Sequence, residues 1–428
     1  MLFRLAFLNL FRNKRRTLST GLAICIGFVG LNLLGAYIYR VKKALDNTSV
    51  YSALHGHVQI FKKDSLVKFT LKPKKYILSK DEVEVIEKLL TSPQFSIEYI
   101  GHNLNGAGLL SNGNKSHPVL FLSFEPEVYA RSLLQPELSK WGKDWILPSQ
   151  LANAEVFRHN QEVMSITPKI ADIMGLKYPL NSNEGLQLAA RSFEGDLNAV
   201  NLELGAEHTT GLQFLEDTLV LVPFKKAQEL LGTEGAESLS IYLNKDVDYR
   251  EFKKQLDADV QALPFALDTY YYYDEKINAM YLGTIGFLVV MGGFFVFLIG
   301  TAVSLTIINS LTMGIIERTK EIGTLLAVGF KRRDIAKIFV LENLLLCLMS
   351  VVLGIILSYF ISTIINSLNI RFSPPAVTGK IQFRLVWNFA LAASVTTFVF
   401  FLTWISSIIV MNRKSKVKLI DLLNDTGA

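Results

Sequence analysis

The sequence predicts a membrane protein of α-helical class: four transmembrane helices, with a large extracytoplasmic α+β domain between the first and second. Half of its 428 residues are hydrophobic, too large a share for an average soluble protein of this length. The excess lies in four runs, each long enough to cross a bilayer, which takes about 20 apolar residues. Between the first two runs, the composition is that of an ordinary mixed domain.

The four apolar runs predict transmembrane segments at 17–39, 281–308, 338–365 and 385–411. The first, second and fourth runs contain no Asp, Glu, Lys or Arg, and the third contains one acid, Glu342, near its start. The first run favours a permanent anchor over a cleaved signal peptide, because it is longer than a signal h-region and lacks an A-x-A cleavage site.

The distribution of Lys and Arg predicts the orientation. Five basic residues precede the first run, six lie between the second and third, and four follow the last, against three and three on the opposite side. This bias places both termini and the connector 309–337 in the cytoplasm. The net charge of +6 is therefore mainly a topology signal. No basic stripe with interleaved aromatic residues indicates a nucleic-acid partner.

The segments outside the runs are shorter, except for one. Residues 1–16 predict either an amphipathic helix in the cytoplasmic interface or an extension of the first transmembrane helix, and both remain open. Residues 366–384 predict a short extracytoplasmic loop that returns the chain to the membrane, and 412–428 a cytoplasmic tail.

Residues 40–280 predict the α+β domain. Strands are expected at 57–61, 218–222 and 239–243, which are rich in β-branched or aromatic residues. Ser79 and Glu82 have the spacing of a capping box, and Gly232 is placed to end a second helix. A further helix is expected over "DYREFKKQL". Helices and strands mix without a regular βαβ repeat, which favours α+β over a doubly wound sheet.

Motifs of catalysis are missing from the 428 residues. There is no G-x-x-x-x-G-K-[ST], H-E-x-x-H or G-x-S-x-G, so no catalytic, cofactor-binding or metal site is predicted. His55 and His57 would share one face of a strand, but no third ligand stands near them. Cys25 and Cys347 each lie in a predicted span and indicate no disulfide. Glu342 lies close enough to the cytoplasmic end for a structural or interfacial role, which is favoured over a proton relay.

The connector "GIIERTKEIGTLLAVGFKRRDI" (314–335) is the most informative segment. Its first sixteen residues are helix-like, with Ile316, Lys320, Gly323, Thr324 and Ala327 at i, i+3/i+4 spacing along one side. Gly329 is placed to cap this helix. A short helix with an apolar exposed face needs a cover, either lipid headgroups or a grooved protein partner.

The segment "ERTKEIGTLLAVGFKRRDIAKIFVLENLLL" resembles the signature of FtsX/MacB-like ABC transporter permeases, which include the LolC and LolE proteins of lipoprotein release. "LAFLNLFRNKRRTLSTGLAICIG", "ITPKIADIMGLKYPL" and "EDTLVLVPFKKAQELLG" are also similar to the family. The family often has Gly-Asp where this chain has Tyr178-Pro179 followed by Leu180. The layout of one span, a large outer domain and three further spans agrees with the family along essentially the whole chain.

The resemblance implies a mechanism called mechanotransmission. Two permease chains, identical or homologous, pair in the bacterial inner membrane, and each docks on an ABC ATPase through the connector helix. ATP and Mg²⁺ bind the ATPase, and the stalks, expected at 37–45 and 270–280, carry its motion to the periplasmic domains. The "YYYY" at 270–273 is either a packing surface of the stalk or an interfacial aromatic belt. The implied ATPase-docking residues are Glu317, Arg318, Thr319, Glu321, Ile322, Gly323, Leu325, Leu326, Ala327 and Gly329.

Three functions are compatible with this resemblance. Lipoprotein release of the LolC/LolE kind is favoured, because the chain carries no fused ATPase. The alternatives are MacB-like efflux of periplasmic substrates with an adaptor, and FtsX-like regulation of a cell-wall hydrolase. In each case the chain is a non-catalytic subunit, and its partners are an ATPase, a second permease, membrane lipids and an extracytoplasmic substrate.

Overall fold

The structure is a computed structural model, and it describes residues 7, 13–152, 154–159, 162–176 and 185–414. The predicted interface helix 1–16, the Tyr178-Pro179-Leu180 segment and the tail 412–428 lie wholly or largely outside these residues. The chain divides into a helical unit (1–40, 286–370 and 383–428) and an α+β unit (41–285 and 371–382).

The described elements alternate irregularly along the chain. The helices are α1 Lys14–Asn47, α2 Ser65–Lys68, α3 Pro73–Tyr76, α4 Lys80–Leu90, α5 Pro126–Leu133, α6 Pro136–Trp141, α7 Pro148–Ala152, α8 Ala154–His159, α9 Pro168–Met174, α10 Phe224–Leu231, α11 Tyr249–Val260, α12 Glu275–Glu317, α13 Thr319–Ala327, α14 Arg332–Ser367 and α15 Phe389–Lys414. The strands are β1 Val58–Lys62, β2 Ile97–Asn103, β3 Gly106–Ser111, β4 Ser116–Phe124, β5 Val163–Ile166, β6 Gly185–Arg191, β7 Leu197–Glu207, β8 Leu219–Pro223, β9 Ser238–Leu243, β10 Leu267–Tyr271, β11 Arg371–Phe372 and β12 Ile381–Gln382.

Four helices of the described chain are long and apolar enough to cross a membrane: α1, α12, α14 and α15. The four predicted spans are therefore confirmed as helices, although three of the helices extend beyond the predicted segments at both ends. α15 instead begins at Phe389, four residues later than expected, because the Asn388 side chain accepts a hydrogen bond from the Ala390 amide and starts the helix there. Small residues let these helices approach closely: a Cβ on Gly354 would lie 2.7 Å from the Phe28 ring.

The α+β unit contains two sheets. The first has the strand order β10-β1-β9-β2, is antiparallel throughout, and buries one apolar cluster under α4 and α11. The second is a closed six-stranded barrel, β3-β4-β8-β5-β7-β6. Its β4–β8 and β5–β7 pairs are parallel, and its interior holds the largest apolar cluster of the unit. The α+β prediction is confirmed, whereas the barrel was not foreseen.

Local signals in the α+β unit were largely correct. The three predicted strands are β1, β8 and β9, each within one residue of its expected bounds. Ser79 and Glu82 form the capping box at the start of α4. Gly232 ends α10 with φ of +65°, in the left-handed region that glycine adopts at little cost. The helix expected at "DYREFKKQL" is α11, capped by Asp248.

Three other predictions were wrong or incomplete. The second stalk does not begin at Tyr270, because Tyr270 and Tyr271 belong to β10 and pair with β1. His55 and His57 precede β1 rather than sharing a face of it. The loop 366–384 does more than return the chain, since its residues 376–378 hydrogen-bond to residues 211–213 of the same unit.

The tyrosines at 270–273 form a packing surface rather than an exposed belt. Tyr272 is 5% exposed, and its ring meets that of Tyr281 edge-on with centroids 5.7 Å apart. The Tyr281 hydroxyl donates a short hydrogen bond to Asp46, and Asn278 donates to Ser49. The first residues of α12 are thus bound within the α+β unit to the end of α1 and its π-helical continuation, Thr48–Ser52.

Candidate functional site

The connector helix is α13, a separate helix with a break at each end. The α12 helix runs to Glu317, farther than the predicted span, and stops because Arg318 leaves helical geometry at φ −105° and ψ 18°. At the other end Gly329 has φ of +103°, which confirms it as the cap. The Phe330 amide bonds the Leu325 carbonyl and the Gly329 amide bonds the Leu326 carbonyl, the two hydrogen bonds of a Schellman motif.

One face of α13 packs on the other helices of its unit. Ile322, Leu325, Leu326 and Phe330 are partly buried against the apolar cluster formed by α1, α12, α14 and α15, and Gly323 is buried. Leu325 and Phe330 occupy the C3 and C″ positions, which often make an apolar contact in a Schellman motif. Both leucines that the sequence assigned to docking are therefore used in holding α13 in place.

The opposite face of α13 is exposed. It presents Lys320, Thr324, Ala327 and Val328, and the side chain of Val328 is 75% exposed. Lys320, Thr324 and Ala327 belong to the stripe that the i, i+3/i+4 spacing predicts. Lys320, Thr324 and Val328 were nevertheless missing from the docking residues carried over from the family, and the spacing was the signal that identified two of them.

The ten predicted docking residues thus have different environments. Ala327 and Gly329 are exposed, and Glu317 keeps 38% of its side chain exposed. Thr319 and Glu321 are intermediate, and Ile322, Leu325 and Leu326 are half-buried. Arg318, at the break before α13, and Gly323, within α13, are buried.

Arg318 is buried because it forms an ion pair inside the helical unit. Its two terminal nitrogens donate to the two carboxylate oxygens of Glu342 on α14, at 2.9 and 3.2 Å. Its guanidinium also lies 5.9 Å from the Phe339 ring centre. Both charged side chains are 8% exposed. This arrangement agrees with the structural role expected of Glu342 and identifies its partner.

A second arginine joins α1 to the same group. Arg16 donates to Glu317 at 3.0 Å and lies 3.6 Å from Glu342, while Asn13 donates to Glu317 at 2.9 Å. We call Arg16, Glu317, Arg318 and Glu342 the charge cluster. Its two positive and two negative charges cancel, which removes much of the cost of burying them. Sequence reasoning missed Arg16, because nothing local links it to residues some 300 positions away.

His, Cys, Asp and Glu residues form no candidate metal site in the part of the chain that the structure describes. No group of three or more His, Cys, Asp or Glu residues is arranged to hold a metal there. Burial lowers the pKa of His55 and of His57 to about 4, and the His57 ring accepts a hydrogen bond from the Leu243 amide. Cys25 and Cys347 are buried and unlinked.

Comparison with known proteins links the helical unit to a family. Residues 277–419 match the model of the FtsX-like permease C-terminal domain. This match includes α13, both of its breaks, and Glu317, Arg318 and Glu342 of the charge cluster.

Curated relatives share parts of the chain. The macrolide export ATP-binding/permease protein MacB of Escherichia coli is 42% identical over 65 residues, which are 15% of this chain and 10% of that protein. MacB of Bordetella avium is 25% identical over 148 residues, 34% of this chain and 23% of that protein. A MacB of Yersinia pestis is 23% identical over 180 residues, 42% of this chain and 26% of its own length. The chain thus spans about a tenth to a quarter of these relatives.

Solved structures resemble the chain only distantly. The periplasmic region of MacB from Actinobacillus actinomycetemcomitans aligns with 50% of this chain at 12% identity and a TM-score of 0.35. The extracellular domain of the ABC-type transporter YknZ aligns with 50% at 13% identity and a TM-score of 0.31.

The family model extends over the last three of the four apolar helices, α12, α14 and α15. The chain therefore carries an FtsX-like permease C-terminal domain at residues 277–419, and part of it is similar to the MacB permeases.

Proposed function

We propose that this permease converts ATP hydrolysis on a separate ABC ATPase into motion of its α+β unit, and so exports substrates from the far side of the membrane in the manner of MacB. One observation carries the proposal. The connector helix α13 is fixed on one face by its own unit and presents Lys320, Thr324, Ala327 and Val328 on the other. A helix that is packed on one face and presents small, apolar and basic side chains on the other can dock into a groove of a protein partner.

The chemistry of ATP supports assigning hydrolysis to that partner. A P-loop cradles the phosphates with backbone amides and a lysine, and the 428 residues contain no such motif. ATP and Mg²⁺ would accordingly bind the ATPase. The apolar helices supply few charges for an ion pathway. Both features suit a subunit that transmits force.

MacB-like export is supported over lipoprotein release. The sequence favoured LolC/LolE-like release on the ground that no ATPase is fused to the chain, but the curated relatives that match are named for macrolide export. Those relatives carry ATP-binding and permease functions in one protein, according to their name. The present chain would supply the permease half, with a second permease copy and a periplasmic adaptor completing the assembly.

We further propose that the chain lies in the bacterial inner membrane with both termini and α13 in the cytoplasm. The proposal rests on the excess of Lys and Arg flanking these segments. In this orientation α13 meets a cytoplasmic ATPase, and the α+β unit lies in the periplasm, where substrates and an adaptor are accessible.

The docking of α13 is tested by replacing Ala327 with Glu. A buried unpaired charge at an interface costs several kcal/mol, and about 1.4 kcal/mol already lowers affinity tenfold. We expect co-purification of the ABC ATPase encoded nearest the permease to fall at least tenfold. Leu197→Glu, at an 82% exposed leucine of the α+β unit, is the matched control and should bind as the parent does. Parental binding by Ala327→Glu would refute the docking site.

Export and lipoprotein release are separated by one comparison in the host. A deletion strain should become more sensitive to a panel of amphiphilic macrolides, and the chain should restore resistance while Ala327→Glu does not. Spheroplasts of the same strain should release their lipoproteins to the same extent with and without the chain. Release that depends on the chain, with unchanged macrolide sensitivity, would favour the LolC/LolE-like function instead.

A further inference from the structure

The charge cluster lies where three helices of one unit meet. Arg16 comes from the first turn of α1, Arg318 from the break between α12 and α13, and Glu342 from α14. Glu342 is the common ion-pair partner, because both arginines lie within ion-pair distance of its carboxylate. A movement of any of the three helices at this point therefore changes a contact of Glu342.

The ion pair between Arg318 and Glu342 fixes the orientation of the two side chains as well as pairing their charges. Two parallel N–H···O bonds fix the guanidinium and the carboxylate in one plane, and their 8% exposure keeps water from screening them. Arg318 immediately precedes α13. Rotation of α13 about its break must consequently move Glu342 and α14 with it, or break both bonds.

The second arginine extends this connection to α1. Arg16 bridges Glu317 and Glu342, and its guanidinium passes over Gly314, where an added Cβ would lie 2.3 Å from the Arg16 Nη1 atom. Because Gly314 has no side chain, the Arg16 guanidinium has room to reach both carboxylates. Because α1 is continuous from Lys14 to Asn47, a displacement at Arg16 is transmitted along the whole helix.

We propose that Glu342 is a positioning residue for energy coupling: through Arg318 and Arg16 it ties the ATPase-docking helix α13 to α14 and to α1. The proposal rests on the proposed function, since the motion it transmits comes from a docked ATPase. It assigns the cluster to coupling and the exposed face of α13 to docking.

A double variant separates a role of the charge cluster in coupling from a role in stability alone. Replacing a whole buried ion pair by apolar residues of similar size is often neutral or stabilising, whereas removing one partner leaves an uncompensated charge. The double variant Arg318→Met with Glu342→Leu therefore keeps the helices packed while it removes the directional bonds. Arg16 retains its bond to Glu317 in this variant.

The test uses the purified complex of the permease with the co-expressed ABC ATPase and measures two quantities. The first is the affinity of the permease for the ATPase. The second, called modulation, is the factor by which the permease changes the ATPase's rate of ATP hydrolysis. We expect the double variant to bind within about twofold of the parent and to lose at least nine-tenths of the change in rate. Retained modulation would overturn the proposal. An equal loss of affinity would also overturn it, because the cluster would then belong to docking.

A second variant covers the case in which the double variant does not accumulate in the membrane. Gly314→Ala displaces the Arg16 guanidinium, which sits at the end of a flexible side chain, and removes no charge. It should likewise reduce modulation while binding is kept, and unchanged modulation would contradict the proposal.

The control is another polar contact between α1 and α12, the hydrogen bond of 2.6 Å from Thr20 to Ser310. Thr20→Val with Ser310→Ala should modulate the ATPase as the parent does, and a loss equal to that of the double variant would refute a special role for Glu342. Failure of the parent itself to bind the ATPase would instead refute the proposed function, so the two failures are distinguishable.

Discussion

At the scale of single residues, burial decides what a charged side chain does. Arg318 lies in a polar connector and looks like a docking residue in the sequence, yet it is turned inward to Glu342. Glu342 stood out as the one acid in the apolar runs, and its closeness to the cytoplasmic end favoured a structural or interfacial role. The identity of the partners depends on how distant helices pack, which neither the spacing nor the composition reveals.

His102 provides a test at this scale, because it joins three elements of the α+β unit. Its Nδ1 lies 3.0 Å from Glu125 and its Nε2 lies 3.1 Å from Glu87, while the Phe224 ring packs beside it. Burial acts to lower the pKa of His102, but the bonds and charges of Glu125 and Glu87 outweigh it and raise the pKa above the ordinary value of about 6.5.

The raised pKa fixes the sign of the pH dependence. The stabilisation by protonated His102 is complete below about pH 6.5, the ordinary histidine pKa, and is lost as the pH rises through the raised pKa. Between pH 6 and pH 8.5, the melting temperature of the parent should thus fall more than that of His102→Gln. Thermal denaturation of the full chain in detergent measures this, and identical pH profiles would contradict the prediction.

At the scale of elements, the sequence predicted where helices and strands begin and end better than it predicted which helix faces pack against other elements. Gly329, the capping box of α4 and the strands β1, β8 and β9 follow from local chemistry, and the structure has them. Local chemistry does not reveal which face of α13 packs on the chain itself and which faces a partner. Both assignments fit the same sequence pattern and differ only in the neighbouring elements. Leu325 and Leu326 were assigned to the partner, and the structure shows them partly buried against the chain's own helices.

Gly329→Val tests the end of α13. Valine at φ of +103° is strained by about 1–2 kcal/mol, and nothing within 4 Å of its Cβ adds a clash, so the cost is that of the backbone. Loss of the Schellman motif should lower ATPase affinity by up to about tenfold, less than Ala327→Glu does. Gly185→Val, in a strand with open space around the Cβ, is the control and should bind normally. Equal binding by both variants would show that the cap is dispensable.

At the scale of the whole molecule, the apolar runs and the long stretch between them predict the architecture. The closed barrel was not predictable, because its parallel β4–β8 and β5–β7 pairs join segments far apart in the sequence. Nor does any motif signal the close contact of Gly205 with Val163, where a Cβ would lie 1.9 Å from a methyl group. Such features depend on packing rather than on local preference.

The proposed orientation is tested by two reporter fusions. At a site after Asn424, β-galactosidase should be active and alkaline phosphatase inactive, as expected in the cytoplasm. At Asn114, in the exposed turn between β3 and β4, the reverse is expected, as in the periplasm. Alkaline phosphatase and β-galactosidase activities at both sites measure this. Both reporters on one side of the membrane would contradict the four-span topology.

The most direct test of the central claim is a nucleotide-dependent distance between the two units. Asn114→Cys and Leu368→Cys place spin labels on exposed residues of the α+β and helical units, and the native Cys25 and Cys347 are buried and should label weakly. In the complex with the ATPase, a non-hydrolysable ATP analogue should shift the measured distance distribution, and the shift should be absent when Ala327→Glu is added. An unchanged distribution in a complex that binds and hydrolyses ATP would contradict the account.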